Sequence, residues 1–408
     1  VFLKRTILLA LGLLMFPPAA LADYGLTGDW YGNRDWLADH GISLDLSGTQ
    51  FYQGVAAGGR EQEWDYGGKF DYWLNLEGGK LGLNEGFFVD MHAETRIGES
   101  VNDHDGLLAP ANIAMSFPDS DRHVTAITGL KLTQALSESV AVYAGKINTL
   151  DEYALRYAGG PGLGGFMNTS LVFNPIVART VPYSAAGVGC AFLSDKQPWL
   201  TLTVFDPEER ATKGLEDLYE RGVTVVPEIV LRADPWGLPG IYNFGGTYSN
   251  ADYTSIDPSA WLQLPLLGGG FPVENESWSL YSNFFQSVWV DRCDASRQWG
   301  FFGQFGLSDG NPNPIHYTAI CGVGGRSMAR NRPLDRFGIG YYYLGLSDQF
   351  KTLSIPVLRQ RDEYGVEMFY NYAISPAIWL TGDLQIARPS TVGLDRVIIP
   401  GVRLQMLF

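Results

Sequence analysis

Histidine and cysteine are scarce in this chain, at five and three residues among 408. His40, His92, His104, His123 and His316 fall in no His-Glu-x-x-His spacing, and no Gly-x-Ser-x-Gly elbow occurs. The glycine run from Gly159 to Gly165 lacks the lysine that follows a phosphate-binding loop. Cys190, Cys293 and Cys321 are too few for a disulfide framework and fit no zinc motif, though a Cys293–Cys321 bridge stays open. No catalytic centre, metal site or cofactor is therefore expected. Positive charge is also short, with 29 Lys and Arg against 44 Asp and Glu and a formal net charge of −15. No Lys/Arg run offsets this, which excludes a nucleic-acid surface. Beyond the first residues there is no stretch of about 18 continuous apolar residues, which excludes a helical membrane span.

Aromatic residues are abundant, with 21 Tyr, 22 Phe and 11 Trp, and glycine reaches 49. That composition suits many strands joined by frequent turns, in a membrane barrel or in a soluble all-β protein. At the start, Lys4 and Arg5 precede an apolar run from Thr6 to Phe16, then Pro17, Pro18 and Ala20-Leu21-Ala22. This pattern reads as an export signal over residues 1–22, with the mature chain starting near Asp23. A short segment, 23–41, is expected to hold a helix closed by Gly41.

From residue 42 to 408 the pattern has period two. Phe70, Tyr72, Leu74 and Leu76 alternate with Asp71, Asn75 and Glu77; Phe87, Val89, Met91 and Ala93 alternate with Asp90, His92, Glu94 and Arg96. Val225, Ile229 and Leu231 alternate with Thr224, Glu228 and Arg232 in the same way. Sixteen such segments are expected, at about 42–56, 64–77, 84–97, 123–134, 139–148, 184–194, 199–206, 221–233, 239–252, 276–290, 297–308, 315–325, 335–346, 363–374, 377–387 and 395–408. Short connections alternate with long ones, as in an antiparallel up-and-down transmembrane β-barrel with apolar residues outward and polar residues inward. Sixteen tilted strands enclose a water-filled lumen. The final segment ends in Phe408 and has the form of the signal read by outer-membrane barrel-assembly machinery. Lipid and lipopolysaccharide are the expected surroundings.

Selection in a pore rests on shape and lining charge. The longest loop, Thr149 to Tyr183, carries Asp151, Glu152, Arg156 and Arg179 and is expected to fold into the lumen as a constriction. Arg96, Lys131, Glu228 and Arg232 are inward wall candidates, and Lys146 borders the loop. Guanidinium groups match vicinal hydroxyls, and Trp73 on a polar face offers a surface for a sugar ring. His92 reads as a solvated lumen residue, and Glu208 and Glu209 read as solvated loop charges.

Leu26-Thr27-Gly28-Asp29-Trp30-Tyr31-Gly32-Asn33-Arg34-Asp35-Trp36-Leu37, followed by His40-Gly41-Ile42, resembles the opening of the carbohydrate-selective porin family of the OprB type. Tyr143-Ala144-Gly145-Lys146-Ile147-Asn148-Thr149-Leu150-Asp151-Glu152-Tyr153 is similar to that family's Gly-Lys/Arg…Asp-Glu-Phe segment. Pro182-Tyr183 with Gly187, Asp195-Lys196-Gln197-Pro198-Trp199 and the last strand match as well. Tyr31 and Tyr153 stand where the family commonly has Gly and Phe. The resemblance implies a sixteen-stranded barrel that passes glucose and related sugars by diffusion through a basic eyelet, with Lys146, Asp151 and Glu152 in the constriction region. The acidic net charge sits uneasily with a basic eyelet. It keeps a second reading open, a general porin with weak cation preference. A barrel enzyme and a soluble exported lectin-like protein are the remaining alternatives.

Overall fold

The computed structural model describes residues 25–118, 123–153, 162–262 and 270–408. The expected export signal, Arg156 and the first part of the glycine run lie outside them. Sixteen strands form one closed antiparallel barrel. They run Ile42–Gly54, Trp64–Glu77, Phe87–Gly98, Val124–Ala135, Val140–Asn148, Ser184–Ser194, Gln197–Phe205, Thr224–Ala233, Gly240–Ser249, Ser277–Val290, Gln298–Ser308, Ile315–Arg326, Arg336–Leu346, Glu363–Ser375, Ile378–Arg388 and Val397–Leu407. The first strand closes on the last, from Ser47 opposite Leu407 to Gln53 opposite Gly401. Closure leaves no strand edge unpaired in lipid, which is what lets a sheet cross a bilayer.

Alternation sets the two faces. Leu44, Tyr72, Leu130, Ile229, Phe301, Ile339, Leu380 and Val402 are exposed on the outside, while Ser47, Lys69, Asp71, Glu94, Gln304, Glu367 and Arg403 are buried inside. Near the long-loop end, Tyr317, Tyr343 and Tyr364 stack in a row with ring centroids 5.8 and 6.2 Å apart. Such a row suits the bilayer interface, where an apolar ring and a polar tip are both satisfied. At the other end the connections are tight. Asp195 and Lys196 both take positive φ, 50° and 64°, the form a two-residue hairpin turn needs.

The segment before the barrel forms a helix over Asn33–Asp39, and Gly41 at φ 84° ends it. It packs against the end of the last strand. Leu26 N–H donates to the Leu407 carbonyl at 2.8 Å, and Arg34 donates to the Phe408 carbonyl at 3.2 Å.

The inside is not uniformly polar. Phe285, Phe302, Ile320, Tyr342, Leu344, Phe369 and Ile399 point inward and are covered by loop residues such as Ala109, Ile113, Phe166, Leu171 and Ile176, forming one buried cluster. Two long connections therefore enter the lumen, not the longest alone: 99–118 as well as 162–183. Full burial of each large apolar side chain contributes about 1.5–3 kcal/mol, which makes the insert a small hydrophobic core in its own right. Wall glycines make room for it. A Cβ on Gly340 would sit 2.5 Å from Leu171 Cδ2, and one on Gly306 2.8 Å from Ile176 Cγ2.

The three cysteines are free, and Cys293 and Cys321 are both exposed, so the bridge left open between them does not form.

Candidate functional site

Inserted loops need their backbone N–H groups satisfied, because little water reaches them. Buried wall carboxylates do this. Glu363 accepts from Leu108 N–H at 2.7 Å and Ala109 N–H at 3.0 Å; Glu367 accepts from Met167 N–H at 2.6 Å and Asn168 N–H at 2.8 Å. Within the loop, Asp105 accepts from Leu107 and Ala111 N–H groups at 2.8 and 2.9 Å. Burial pushes the Asp105 carboxyl up to about 8, even though these bonds pull it back down.

Across the lumen, the second to fifth strands carry a polar wall. His92 does not face free solvent as expected. It is 3 % exposed, and its imidazole nitrogens lie 2.7 Å from an Asp151 oxygen and 3.1 Å from an Asp71 oxygen. Lys69 pairs with Glu94 at 2.5 Å directly behind, and Tyr183 donates to Glu94. His92 is thus a strut between wall and loop. Its partners lie 21 and 59 residues away in sequence, so strand periodicity could not reveal it.

The remaining candidates separate into those that meet and those that do not. Glu152 accepts from Lys131 at 2.6 Å, and the Lys131 ammonium also lies 5.9 Å from the Tyr143 ring centroid. Asp151 belongs to the His92 strut. Trp73 points inward, but its ring stacks on His92 at 4.7 Å and packs against the Phe51, Met115 and Met167 cluster. That face is taken by the protein rather than offered to a sugar. Arg96 donates to the Met115 carbonyl and so holds the inserted loop. Glu228 accepts from Tyr281 at 3.0 Å.

Lys146 donates to the carbonyls of Ala211 and Lys213 at 2.9 and 3.2 Å and lines the same recess as Asp151 and Glu152. Arg179 lies over the Tyr253 ring at 4.9 Å, next to a small hairpin of Tyr253–Thr254 and Val273–Glu274 that the sequence did not announce. Burial lowers its guanidinium. Arg232 is exposed and donates to the Pro198 carbonyl at 2.8 Å, near a tight turn. Glu209 is no solvated loop charge either, because its carboxylate accepts from the backbone of Tyr183 and Ala211 at 2.8 and 2.9 Å. Glu208 does pair at the surface, with Lys213 at 2.7 Å.

What these residues leave is an open recess, with Asn75, Asp90, Lys131, Lys146, Asp151 and Glu152 among its lining. Sequence reasoning missed Asn75 and Asp90 as site residues, although their inward positions were legible from the alternation. Carboxylates, an amide and an ammonium on rigid strands can donate to and accept from hydroxyl groups. They form no nucleophile–base pair.

A family model for the carbohydrate-selective porin, OprB family, matches residues 61–408. Among solved structures, the high-pH structure of Pseudomonas putida OprB superposes with a TM-score of 0.82 at 19 % identity, covering 94 % of this chain and 98 % of that one. The low-pH structure of the same protein gives 0.58 at 17 % identity, with the same coverage of 94 % and 98 %. Salmonella typhi OmpF in complex with daunomycin gives 0.53 at 9 % identity, covering 91 % and 99 %. No curated protein sequence matches the chain significantly.

Proposed function

We propose that this chain, which belongs to the carbohydrate-selective porin, OprB family, leads sugars past the polar wall that carries Asn75, Asp90, Lys131 and Glu152. It is an outer-membrane porin, and its sixteen-stranded barrel is a channel for sugar solutes. The single observation that carries the finer reading is the open recess beside the inserted loops, lined by hydrogen-bond donors and acceptors. Passage is passive, and no cofactor or catalytic step enters. Glucose and related mono- and oligosaccharides fit because alternating hydroxyls can exchange water for Asp90, Asn75 and the Lys131–Glu152 pair one after another.

Liposome swelling tests this. Glucose should enter faster than an uncharged solute of equal mass with fewer hydroxyls, and a Lys131→Met, Glu152→Gln double variant should narrow the difference. Rates ordered by mass alone would refute the role given to the wall.

A second reading, weak cation preference, is favoured by the formal net charge of −15, while the cavity lining itself sets Asp90, Asp151 and Glu152 against Lys131 and Lys146. Reversal potentials in planar bilayers decide it. Sugar passage and cation preference are compatible.

For the rest of the chain, residues 1–22 act as the export signal, 23–41 as a periplasmic cap and 42–408 as the barrel. The last strand, ending in Phe408, is the handle for the assembly machinery, and the outward aromatic rows meet lipid and lipopolysaccharide. Deleting Phe408 should lower the yield of heat-modifiable barrel.

A further inference from the structure

At the long-loop mouth, the chain gathers an imidazole and several carboxylates that the sugar path does not use. The connection between Ile42–Gly54 and Trp64–Glu77 carries Glu61 and Glu63. The next outer loop carries His104, on the short helix Asn102–Asp105. Backbone bonds stitch the two loops together at this point: Arg60 and Glu61 N–H groups both donate to the His104 carbonyl, at 2.9 and 3.2 Å. The stitch holds the imidazole among acids. Glu61 Oε2 lies 3.3 Å from Nδ1, while Glu63 Oε2 and Asp65 Oδ2 lie 3.6 and 3.7 Å from Nε2.

The last two separations are too long for hydrogen bonds. They are close to the roughly 3.4 Å spacing of two ligands that share one metal at about 2.1 Å in tetrahedral geometry. The ligand atoms of Glu61, Glu63 and His104 all lie within 4.8 Å of one another. An independent observation points the same way. Asp65 is only 5 % exposed, and its Oδ2, directed at the imidazole, has no hydrogen-bond partner. A buried carboxylate oxygen without a donor is costly, and a cation above it removes that cost. Nδ1 of His104 also lacks a hydrogen bond.

Among the described residues, the other gathering of this kind, Asp71, His92 and Glu94 on the wall, differs in one respect. There Lys69 Nζ, 2.5 Å from Glu94, already occupies the place of the cation. Among the described residues, no lysine or arginine forms an ion pair with Glu61, Glu63 or Asp65.

We propose that Glu61, Glu63 and His104, with Asp65 beneath them, bind one divalent transition cation of the zinc type. An imidazole with carboxylates suits such a metal, whereas calcium and magnesium take all-oxygen sets. Bound there, the cation clips the first outer loop to the second, whose following residues descend into the lumen.

Calorimetric titration of the detergent-solubilised full-length porin with zinc chloride tests the site. Wild type should bind one zinc per chain. His104→Ala, and separately the Glu61→Gln, Glu63→Gln pair, should weaken binding at least tenfold. Both changes lie in loops, and retained heat-modifiable gel migration shows that each barrel is intact. Asp65→Asn should also weaken binding. The proposal is overturned if wild type binds no zinc, if His104→Ala binds as tightly as wild type, or if calcium binds the site more tightly than zinc.

Discussion

Truncating Glu363 to alanine should open the pore without unfolding the barrel. Its carboxylate is fully buried and accepts three backbone N–H groups: Leu108 at 2.7 Å, Ala109 at 3.0 Å and Ser390 at 3.1 Å. Two of the three come from the loop that enters the lumen. Hydrogen bonds to a charged acceptor are worth about 1.5–3 kcal/mol each, so the loop loses about 3–6 kcal/mol of anchoring. Water that fills the vacated space recovers part of this, which favours the lower end. Even about 3 kcal/mol raises the detached population of residues 107–111 roughly a hundredfold. The ladder of the fourteenth strand with the thirteenth, from Glu363 opposite Leu344 to Asn371 opposite Arg336, is backbone-to-backbone and stays intact. In planar bilayers, Glu363→Ala should show larger and noisier single-channel conductance, and liposomes should admit larger sugars. Its heat-modifiable gel migration should match wild type. If conductance and size limit stay unchanged, the carboxylate does not hold the loop in the lumen and the anchoring argument fails.

Three further outcomes follow from the same geometry. The Asp105 carboxyl, raised to about 8 by burial, holds a proton in the folded loop that the free chain gives up. Its stabilising contribution is therefore complete below the ordinary carboxylate range and is lost as pH rises towards 8, so conductance should grow over that window. Asp105→Asn should flatten this profile, and an unaltered profile refutes the assignment. Gly340→Val places a branched side chain where Leu171 Cδ2 lies 2.5 Å from a Cβ, and should cost about 1–3 kcal/mol by overpacking and push the inserted segment into the channel. Reduced conductance is the expected reading, and wild-type conductance counts against close packing there. Arg34→Ala removes donors to the carbonyls of Phe408 and Leu44, and should lower the temperature of the gel-migration transition slightly, by about 1 kcal/mol of stability. No shift at all means that the cap contributes nothing to barrel closure.

The wall was legible because strand alternation is a local property. Trp64–Glu77 and Phe87–Gly98 place Phe70, Tyr72, Leu74 and Met91 outward and Asp71, Asn75, Asp90 and Glu94 inward, as the period of two required. Strand ends fell within a few residues for the same reason. The rule of a polar interior failed at Phe285, Phe302, Tyr342 and Phe369, since inward apolar residues make sense only once a loop covers them. That covering depends on contacts across 200 residues, such as Glu367 with Met167, which no window along the chain can see. One signal was there to be read. Gly338-Ile339-Gly340 sits inside a strand, and paired glycines on one face mark a place where another chain segment approaches the backbone. The site shows the same division. The facing of Lys131 and Glu228 was local information, whereas the turning of Lys146 towards Ala211 and the capture of Trp73 by His92 were tertiary.

The loop insert gives this barrel two kinds of interior at once. Along one side, the inner surface is dry and packed, and substitutions there will be judged by volume. Along the other it is wet and charged, and substitutions will be judged by which solutes pass. Relatives can thus exchange residues on the wet side with little effect on folding, so changes of diet can accumulate there while the dry side keeps the molecule in shape.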